Sequence, residues 1–134
     1  MLYEELSGKT IQAFYTVYNC LGHGFLERVY ENAMMVELRK LGVLAEQQKR
    51  IDVWYENCKV GEYFSDIVVE NKIILELKAA EGIAPEHEAQ LLHYLKATDI
   101  ELGLLFNFGS KPQMLRRIFT NDRKACRLEK PITS

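Results

Sequence analysis

The fold is decided by residues 65–78, which read SDIVVENKIILELK. Two apolar runs flank a polar turn at residues 70–72, which is the pattern of a β-hairpin. Three ionisable residues, Asp66, Glu76 and Lys78, interrupt these runs. Because strand side chains alternate between the two faces of a sheet, Glu76 and Lys78 lie on the same face. Charged residues are normally excluded from such strands, so their presence indicates a chemical role.

The length of the turn sets the register of this hairpin. If residues 70–72 form a three-residue loop, Val69 pairs with Ile73, and Asp66 lies opposite Glu76. Cross-strand partners share a face and lie about 5 Å apart at their Cβ atoms. A two-residue loop would instead place the two carboxylates on opposite faces. The hypothesis that they act together therefore predicts an odd-length loop.

Apolar periodicity predicts the elements on either side of the hairpin. The predicted helices cover residues 9–21, 25–41 and 86–97, the last opened by Pro85, and the predicted strands cover residues 50–55, 60–69, 73–79 and 102–108. The last two strands and the helix between them form a right-handed parallel crossover. The predicted fold class is α/β (mixed α+β), in the order ααβββαβ. A central mixed sheet is flanked by helices, and a basic, partly helical C-terminal tail follows.

The second predicted helix has an apolar stripe that we assign to the core. Its members are Leu26, Val29, Ala33, Val36 and Leu41. The first helix carries its own apolar surface, which could alternatively serve a homodimer.

Composition predicts one domain over residues 1–134, because no linker or repeat divides the chain. The apolar runs are too short to span a bilayer, and the first residues lack the pattern of a signal peptide. Cys20, Cys58 and Cys126 are widely spaced, which favours a reducing cytoplasm without structural zinc. The formal charge of −2 argues against bulk electrostatic coating of nucleic acid. The chain from Lys111 onward is basic, however, and is either a phosphate-contacting arm or a solvated surface.

The residues of the hairpin have two interpretations. Lys78 could simply pair with Glu76 or Asp66 in a cross-strand salt bridge. Alternatively, two carboxylates side by side repel each other unless a cation lies between them, and their oxygen atoms suit Mg²⁺, with Mn²⁺ as a substitute. Lys78 could then orient a water and stabilise charge on a phosphate. This second interpretation describes a site that hydrolyses a phosphodiester.

Two helices carry further candidate residues. Glu27 lies in the first turn of the second helix with Tyr30 one turn later, although an acid there often serves only the helix dipole and such a tyrosine is often half-buried core. Gln90 and Tyr94 form an i,i+4 pair on the third helix that could contact nucleic acid. The same pair is equally compatible with ordinary helix-surface polarity.

The motif Gly24-x-x-Glu27-x-x-Tyr30 resembles the signature of the GxxExxY proteins, a group of small prokaryotic proteins in the PD-(D/E)XK nuclease-like superfamily. The resemblance extends from about residue 11 to residue 119. It includes the segments at residues 21–27, 66–70, 76–79, 90–97 and 103–109. It implies a restriction-endonuclease-like core with an additional N-terminal helix.

The resemblance also implies roles for individual residues. Asp66 and Glu76 match positions that bind the metal, and Lys78 matches the position that acts on the attacking water. Glu27 resembles an additional site carboxylate, and Gln90 with Tyr94 resembles the QxxxY motif of RecB-type nucleases, which lies near the site and the DNA strand.

Three functional hypotheses follow. The first is a Mg²⁺-dependent phosphodiesterase acting on nucleic acid, DNA more than RNA. Asp66, Glu76 and the backbone carbonyl of Leu77 would hold the metal. Lys78 and Glu27 would serve the reaction. The nucleic-acid strand would be contacted by Gln90, Tyr94 and Tyr30. The alternative is a non-catalytic nucleic-acid-binding or protein-interaction module that retains the nuclease-like fold. The third is a structural subunit that works as a homo-oligomer.

Overall fold

Residues 2–124 are described by a computed structural model, and they form three α-helices and five β-strands. In chain order these are α1 (Glu4–Leu21), α2 (Glu27–Lys40), β1 (Ala45–Tyr55), β2 (Cys58–Val69), β3 (Ile73–Lys78), α3 (Pro85–Ala97), β4 (Leu102–Phe108) and β5 (Pro112–Ile118). A short 3-10 helix, Asn121–Arg123, follows β5. None of the helices within residues 2–124 is long and apolar enough to cross a membrane.

The five strands form one mixed sheet in the order β1-β2-β3-β4-β5. β1, β2 and β3 pair antiparallel, whereas β3 and β4 are parallel and are connected by α3. The predicted order ααβββαβ is confirmed. The prediction of a partly helical tail is wrong for residues 112–118, because they form a strand that pairs with the free edge of β4. The remaining part of the predicted basic tail, residues 125–134, lies outside the described residues.

The turn between β2 and β3 is the predicted three-residue loop. Val69 pairs with Ile73, and the N–H of Lys72 donates to the carbonyl of Val69 at 2.9 Å. Counting outward from this pair places Asp66 opposite Glu76. The odd-length loop that the two-carboxylate hypothesis requires is therefore confirmed.

The two faces of the sheet are covered by different helices. α1 and α2 cover one face with a core of stacked aromatic rings: Phe14 lies 4.4 Å from Phe106 and Tyr30 lies 4.1 Å from Phe108, measured between ring centroids. α3 covers the opposite face against a smaller apolar cluster, which includes Ile51, Val68, Ile74, Leu91, Leu95 and Leu105. The sheet is thus the middle of three layers.

The predicted core stripe of α2 is wrong for three of its five residues, whereas Ala33 and Leu41 are partly buried against the core. Leu26 is 81% exposed and Val36 is 50% exposed, and Val29 is also exposed. The buried side chains are instead Tyr30, Glu31, Met34 and Leu38. The sequence of α2 contains two apolar stripes, and the stripe of larger side chains, spaced four residues apart, packs on the aromatic core. Hydrophobicity alone could not distinguish the two stripes.

Candidate functional site

Asp66 and Glu76 lie where β2 and β3 separate. The regular pairing of these strands ends at Ile67 and Leu75. Beyond that pair, the N–H of Leu77 donates to Oδ2 of Asp66 at 2.8 Å, and the N–H of Asp66 donates to Oε2 of Glu76 at 2.9 Å. The two carboxylates therefore accept hydrogen bonds from main-chain donors at the point where the strands part. This arrangement holds them side by side.

Both carboxylates are harder to ionise than a free carboxyl group. Burial and the nearby charge of Asp66 raise the pKa of Glu76 to about 8. Burial also raises the pKa of Asp66, against the effect of its hydrogen bond from Leu77. Since a buried like-charged pair is stable only when it holds a proton or a compensating cation, these two groups fit a cation-binding site.

An irregularity of β1 lies opposite Asp66. Gln47 pairs with Ile67 and Lys49 with Ser65, so the intervening Gln48 has no regular partner, and it adopts a φ of 50°. Positive φ at a residue other than glycine is uncommon within a strand. The register is the same on both sides of Gln48, so no residue is inserted here, and the register shift of this strand pair lies between Val53 and Trp54 instead.

Glu31 of α2 holds this irregular segment, and the sequence prediction did not include it. Its carboxylate accepts hydrogen bonds at 2.7 Å from the side-chain amides of both Gln47 and Gln48. Glu31 is only 4% exposed, and its charge contributes to the raised pKa of Asp66. Its spacing of four residues from Glu27 placed it on the same side of the helix, and this was the signal that could have identified it.

Lys78, Gln90 and Tyr94 adjoin the carboxylate pair. Lys78 Nζ donates to Oε1 of Gln90 at 3.3 Å, which ties the end of β3 to α3. Burial and the charges of Glu76 and Asp66 raise the pKa of Tyr94 to about 12, so its hydroxyl keeps its proton at neutral pH. The structure therefore brings together five of the residues predicted from sequence. A salt bridge of Lys78 with Asp66 or Glu76 within 4 Å, which was the simpler interpretation, is not among the ion pairs of the described residues.

Asn107 fixes the chain that follows Lys78. The two residues are opposite each other on β4 and β3. The buried side chain of Asn107 accepts a hydrogen bond from the N–H of Ala80 at 2.9 Å and donates to the Ala80 carbonyl at 3.0 Å. This two-point contact limits the movement of the segment that carries Lys78.

Glu27 and Tyr30 are placed differently from each other. Glu27 is exposed at the start of α2, near enough that its charge contributes to the raised pKa of Asp66. Tyr30 is fully buried: its hydroxyl donates to the carbonyl of Gly22 at 2.7 Å and accepts from the N–H of Phe25 at 3.2 Å. Tyr30 thus fastens the loop before α2, and its side chain is not on the surface that carries Gln90 and Tyr94.

The carboxylate oxygens of Asp66 and Glu76, at the opening where β2 and β3 separate, suit a hard cation that keeps part of its water shell. Within residues 2–124, no three histidine, cysteine or acidic side chains converge as a metal-binding cluster. Two carboxylates are nevertheless enough for Mg²⁺, which usually binds one or two protein carboxylates and retains several waters. The raised pKa of Glu76 agrees with this, because a cation would remove the repulsion that keeps the proton bound.

The described part of the predicted basic tail is engaged within the fold. Arg117 Nε lies 2.8 Å from a carboxylate oxygen of Glu88. Arg116 donates to the carbonyl of Leu2 at 3.1 Å. Lys124 Nζ donates to the carbonyls of Thr98 and Ile100. These contacts favour a structural role over a phosphate-contacting arm for this part of the chain.

Comparisons with known proteins identify the same type of fold. A family model described as the PD-(D/E)XK nuclease superfamily matches residues 4–118. The crystal structure of SSO0001 is similar, with a TM-score of 0.53 and 16% identity over 88% of this chain. The match covers 58% of SSO0001, so this chain spans less than two thirds of that protein, and the likeness concerns the fold alone. Comparison with curated proteins gives no match. The narrower resemblance to the GxxExxY proteins stays a prediction.

Proposed function

Because the chain belongs to the PD-(D/E)XK nuclease superfamily, we propose that it is a Mg²⁺-dependent phosphodiesterase that cleaves nucleic acid, DNA more than RNA. Nucleases of this superfamily typically use divalent metals. The observation that carries the proposal is the pair of carboxylates, partly buried Asp66 and buried Glu76, at the point where β2 and β3 separate. A lysine held by Gln90 lies beside them.

Asp66, Glu76 and the main-chain carbonyl of Leu77 would hold the Mg²⁺ ion, for which Mn²⁺ could substitute. In an extended strand, the N–H and C=O of one residue point to the same side. Since the N–H of Leu77 donates to Asp66, its carbonyl is directed toward the same opening. When bound, such an ion neutralises charge on the phosphate and makes water a stronger nucleophile.

The remaining residues would serve the reaction directly. Lys78 would orient the attacking water and stabilise the negative charge that develops on the phosphate, with Gln90 limiting the movement of its ammonium group. Glu27 would support the ion or the water from the start of α2. Gln90 and Tyr94 would contact the nucleic-acid strand. Because Tyr94 keeps its proton, its hydroxyl can donate a hydrogen bond to a phosphate oxygen.

Cleavage assays with purified protein test this proposal. Single- and double-stranded DNA and RNA are incubated with Mg²⁺, with Mn²⁺ and with chelator. Asp66→Ala and Lys78→Ala are expected to lose cleavage by roughly 100-fold or more, the range for removal of a group that stabilises the transition state. Lys72→Ala is the matched control, because this exposed lysine lies at the opposite end of β3.

The assay also separates the alternatives. Cleavage that survives both Asp66→Ala and Lys78→Ala would contradict the site, since it would come from elsewhere or from a contaminant. Binding of nucleic acid without cleavage under any metal condition would contradict the enzyme and favour the non-catalytic module.

A further inference from the structure

A groove of about 500 Å³ lies between the β1–β2 hairpin and α3. Its walls are mainly apolar or aromatic and include Val53, Tyr63, Ala89, Tyr94 and Ala97. Sites of this volume and character ordinarily accept a flat organic group rather than a fully hydrated phosphate. The function proposed above assigns no ligand group to this groove, although Gln90 and Tyr94 line it.

Tyr63 provides the exposed aromatic surface of the groove. Tyr63 pairs across the strands with Ile51, which is buried against α3, so the Tyr63 ring lies on the same side. Its ring centroid is 5.9 Å from that of Tyr94, at an interplanar angle of 46°. Tyr63 is 50% exposed, whereas Tyr94 is 5% exposed. Tyr94 therefore supports a neighbouring ring that remains open to a ligand.

The groove is continuous with the carboxylate site. Gln90 and Tyr94 line it, Gln90 accepts the hydrogen bond from Lys78, and Tyr94 lies close enough to Glu76 and Asp66 for their charges to raise its pKa. A polymer with its backbone at Lys78 would thus place a neighbouring group in the groove.

Charged groups line the groove near the two ends of α3. Glu86 lies in the first turn of α3, and Lys96 lies in its last turn, with His93 one turn before the end. These positions span about 15 Å at the rise of an α-helix. Glu86 disfavours a phosphate near its end of the groove, whereas Lys96 favours one near its end. The charges thus favour a phosphate at the Lys96 end of the groove over the Glu86 end.

Resting on the function proposed above, we propose that this groove binds the base of an unpaired nucleotide next to the scissile phosphate, stacked on Tyr63. The substrate is then a single strand or a locally unpaired region. A base inside a duplex is already stacked on both sides and must leave the helix to enter such a groove. Aromatic side chains that stack on bases are the usual means by which proteins hold single strands.

Equilibrium binding in chelator tests the groove independently of cleavage. The probes are a fluorescein-labelled DNA single strand of 12 thymidines, its RNA equivalent and a blunt DNA duplex of the same length, measured by fluorescence anisotropy. Wild-type protein is expected to bind the single strands more tightly than the duplex. Tyr63→Ala should weaken single-strand binding by roughly 5- to 100-fold, the range for loss of one base–aromatic stack. Tyr63→Phe should retain it.

Phe64→Ala is the matched control. Phe64 is next to Tyr63, is 48% exposed, and points to the other face of the hairpin because strand residues alternate. It should leave binding unchanged. Thermal unfolding verifies that both alanine variants fold, as is expected for side chains that are half exposed.

The outcomes separate this inference from the proposed function. Three outcomes would each overturn the groove assignment. These are an equal loss of single-strand affinity in Tyr63→Ala and Phe64→Ala, duplex binding as tight as single-strand binding, and no binding of any probe. If Tyr63→Ala reduces single-strand binding but wild-type protein never cleaves, the nuclease proposal fails and the groove assignment stands. If wild-type and Tyr63→Ala proteins cleave and bind equally well, the nuclease proposal stands and the groove assignment fails.

Discussion

The two faces of the sheet differ in how they are filled. The face under α1 and α2 contains stacked aromatic rings that bury Phe14, Tyr30, Phe106 and Phe108. The face under α3 has a smaller apolar cluster, which adjoins the carboxylate of Glu76 and the groove beside Tyr94.

The fold thus separates the packing that stabilises it from the residues of the candidate site. Continuous apolar packing stabilises a fold through burial and close contact. A buried carboxylate pair destabilises it unless a proton or a cation is present. The aromatic face therefore stabilises the fold enough to offset the unfavourable carboxylate pair on the other face. Four substitutions, from the largest expected effect to the smallest, test this division.

Phe14→Ala should have the largest effect, and the effect should be on stability. Its ring is completely buried and stacks on Phe106. Removing such a side chain costs about 3–5 kcal/mol, which urea denaturation would measure. Tyr15→Ala is the control, because Tyr15 is 39% exposed and should cost less than about 1 kcal/mol. Loss of nucleic-acid binding by protein that remains folded would contradict a purely supporting role.

Glu76→Gln should raise the stability of the protein when chelator is present. The pKa of Glu76 rises from its ordinary value of 4.5 to about 8 on folding. The native protein then holds a proton that the unfolded chain has released, so stability falls as the pH rises between about 4.5 and 8. The neutral amide of glutamine removes this pH dependence and should raise Tm at pH 8 by several degrees.

Measuring Tm by thermal unfolding with and without Mg²⁺ tests this prediction. Mg²⁺ should stabilise wild-type protein at pH 8, because binding to the native state shifts the unfolding equilibrium. It should stabilise Glu76→Gln much less. A variant that is less stable than wild-type protein in chelator, or that responds equally to Mg²⁺, would show that the carboxylate pair is not the cation site.

Sequence predicted the fold well where one local rule determined the structure. The apolar run of β4 predicted a buried strand, and a three-residue loop before β3, once assumed, placed Asp66 opposite Glu76 by counting. β5 was missed because Pro112 and the adjacent Arg116 and Arg117 resemble a polar tail, and it is the free edge of β4 that makes this segment a strand.

The candidate site was predicted less completely than the fold. Glu31 was missed because its partners, Gln47 and Gln48, are distant in sequence and meet it only through packing of α2 on β1. The groove was missed for the same reason: Tyr63 and Tyr94 are on separate elements, and no local pattern indicates that their rings approach each other. Local motifs predicted the candidate site residues, whereas tertiary packing determines which side chains surround them.

Gly103→Ala tests how closely α3 must pack on its face. A Cβ at Gly103 would lie 2.6 Å from Cδ1 and 2.9 Å from Cγ of Leu91, so α3 or Leu91 must move. Such overpacking typically costs about 1–3 kcal/mol. Because Leu91 is next to Gln90, we expect reduced cleavage even in protein that remains folded. An unchanged cleavage rate would show that the position of α3 is not critical for the reaction.

Tyr30→Phe should have the smallest effect, and it distinguishes the two roles assigned to Tyr30. Phenylalanine keeps the ring stacked on Phe108 but removes the hydroxyl that donates to the carbonyl of Gly22. Loss of this hydrogen bond should cost about 1 kcal/mol, measured by urea denaturation, and should leave oligonucleotide affinity unchanged. Unchanged stability together with weaker oligonucleotide binding would instead support the nucleic-acid contact that the sequence motif predicted. Because the hydroxyl lies on the aromatic face, its effect should appear in stability alone.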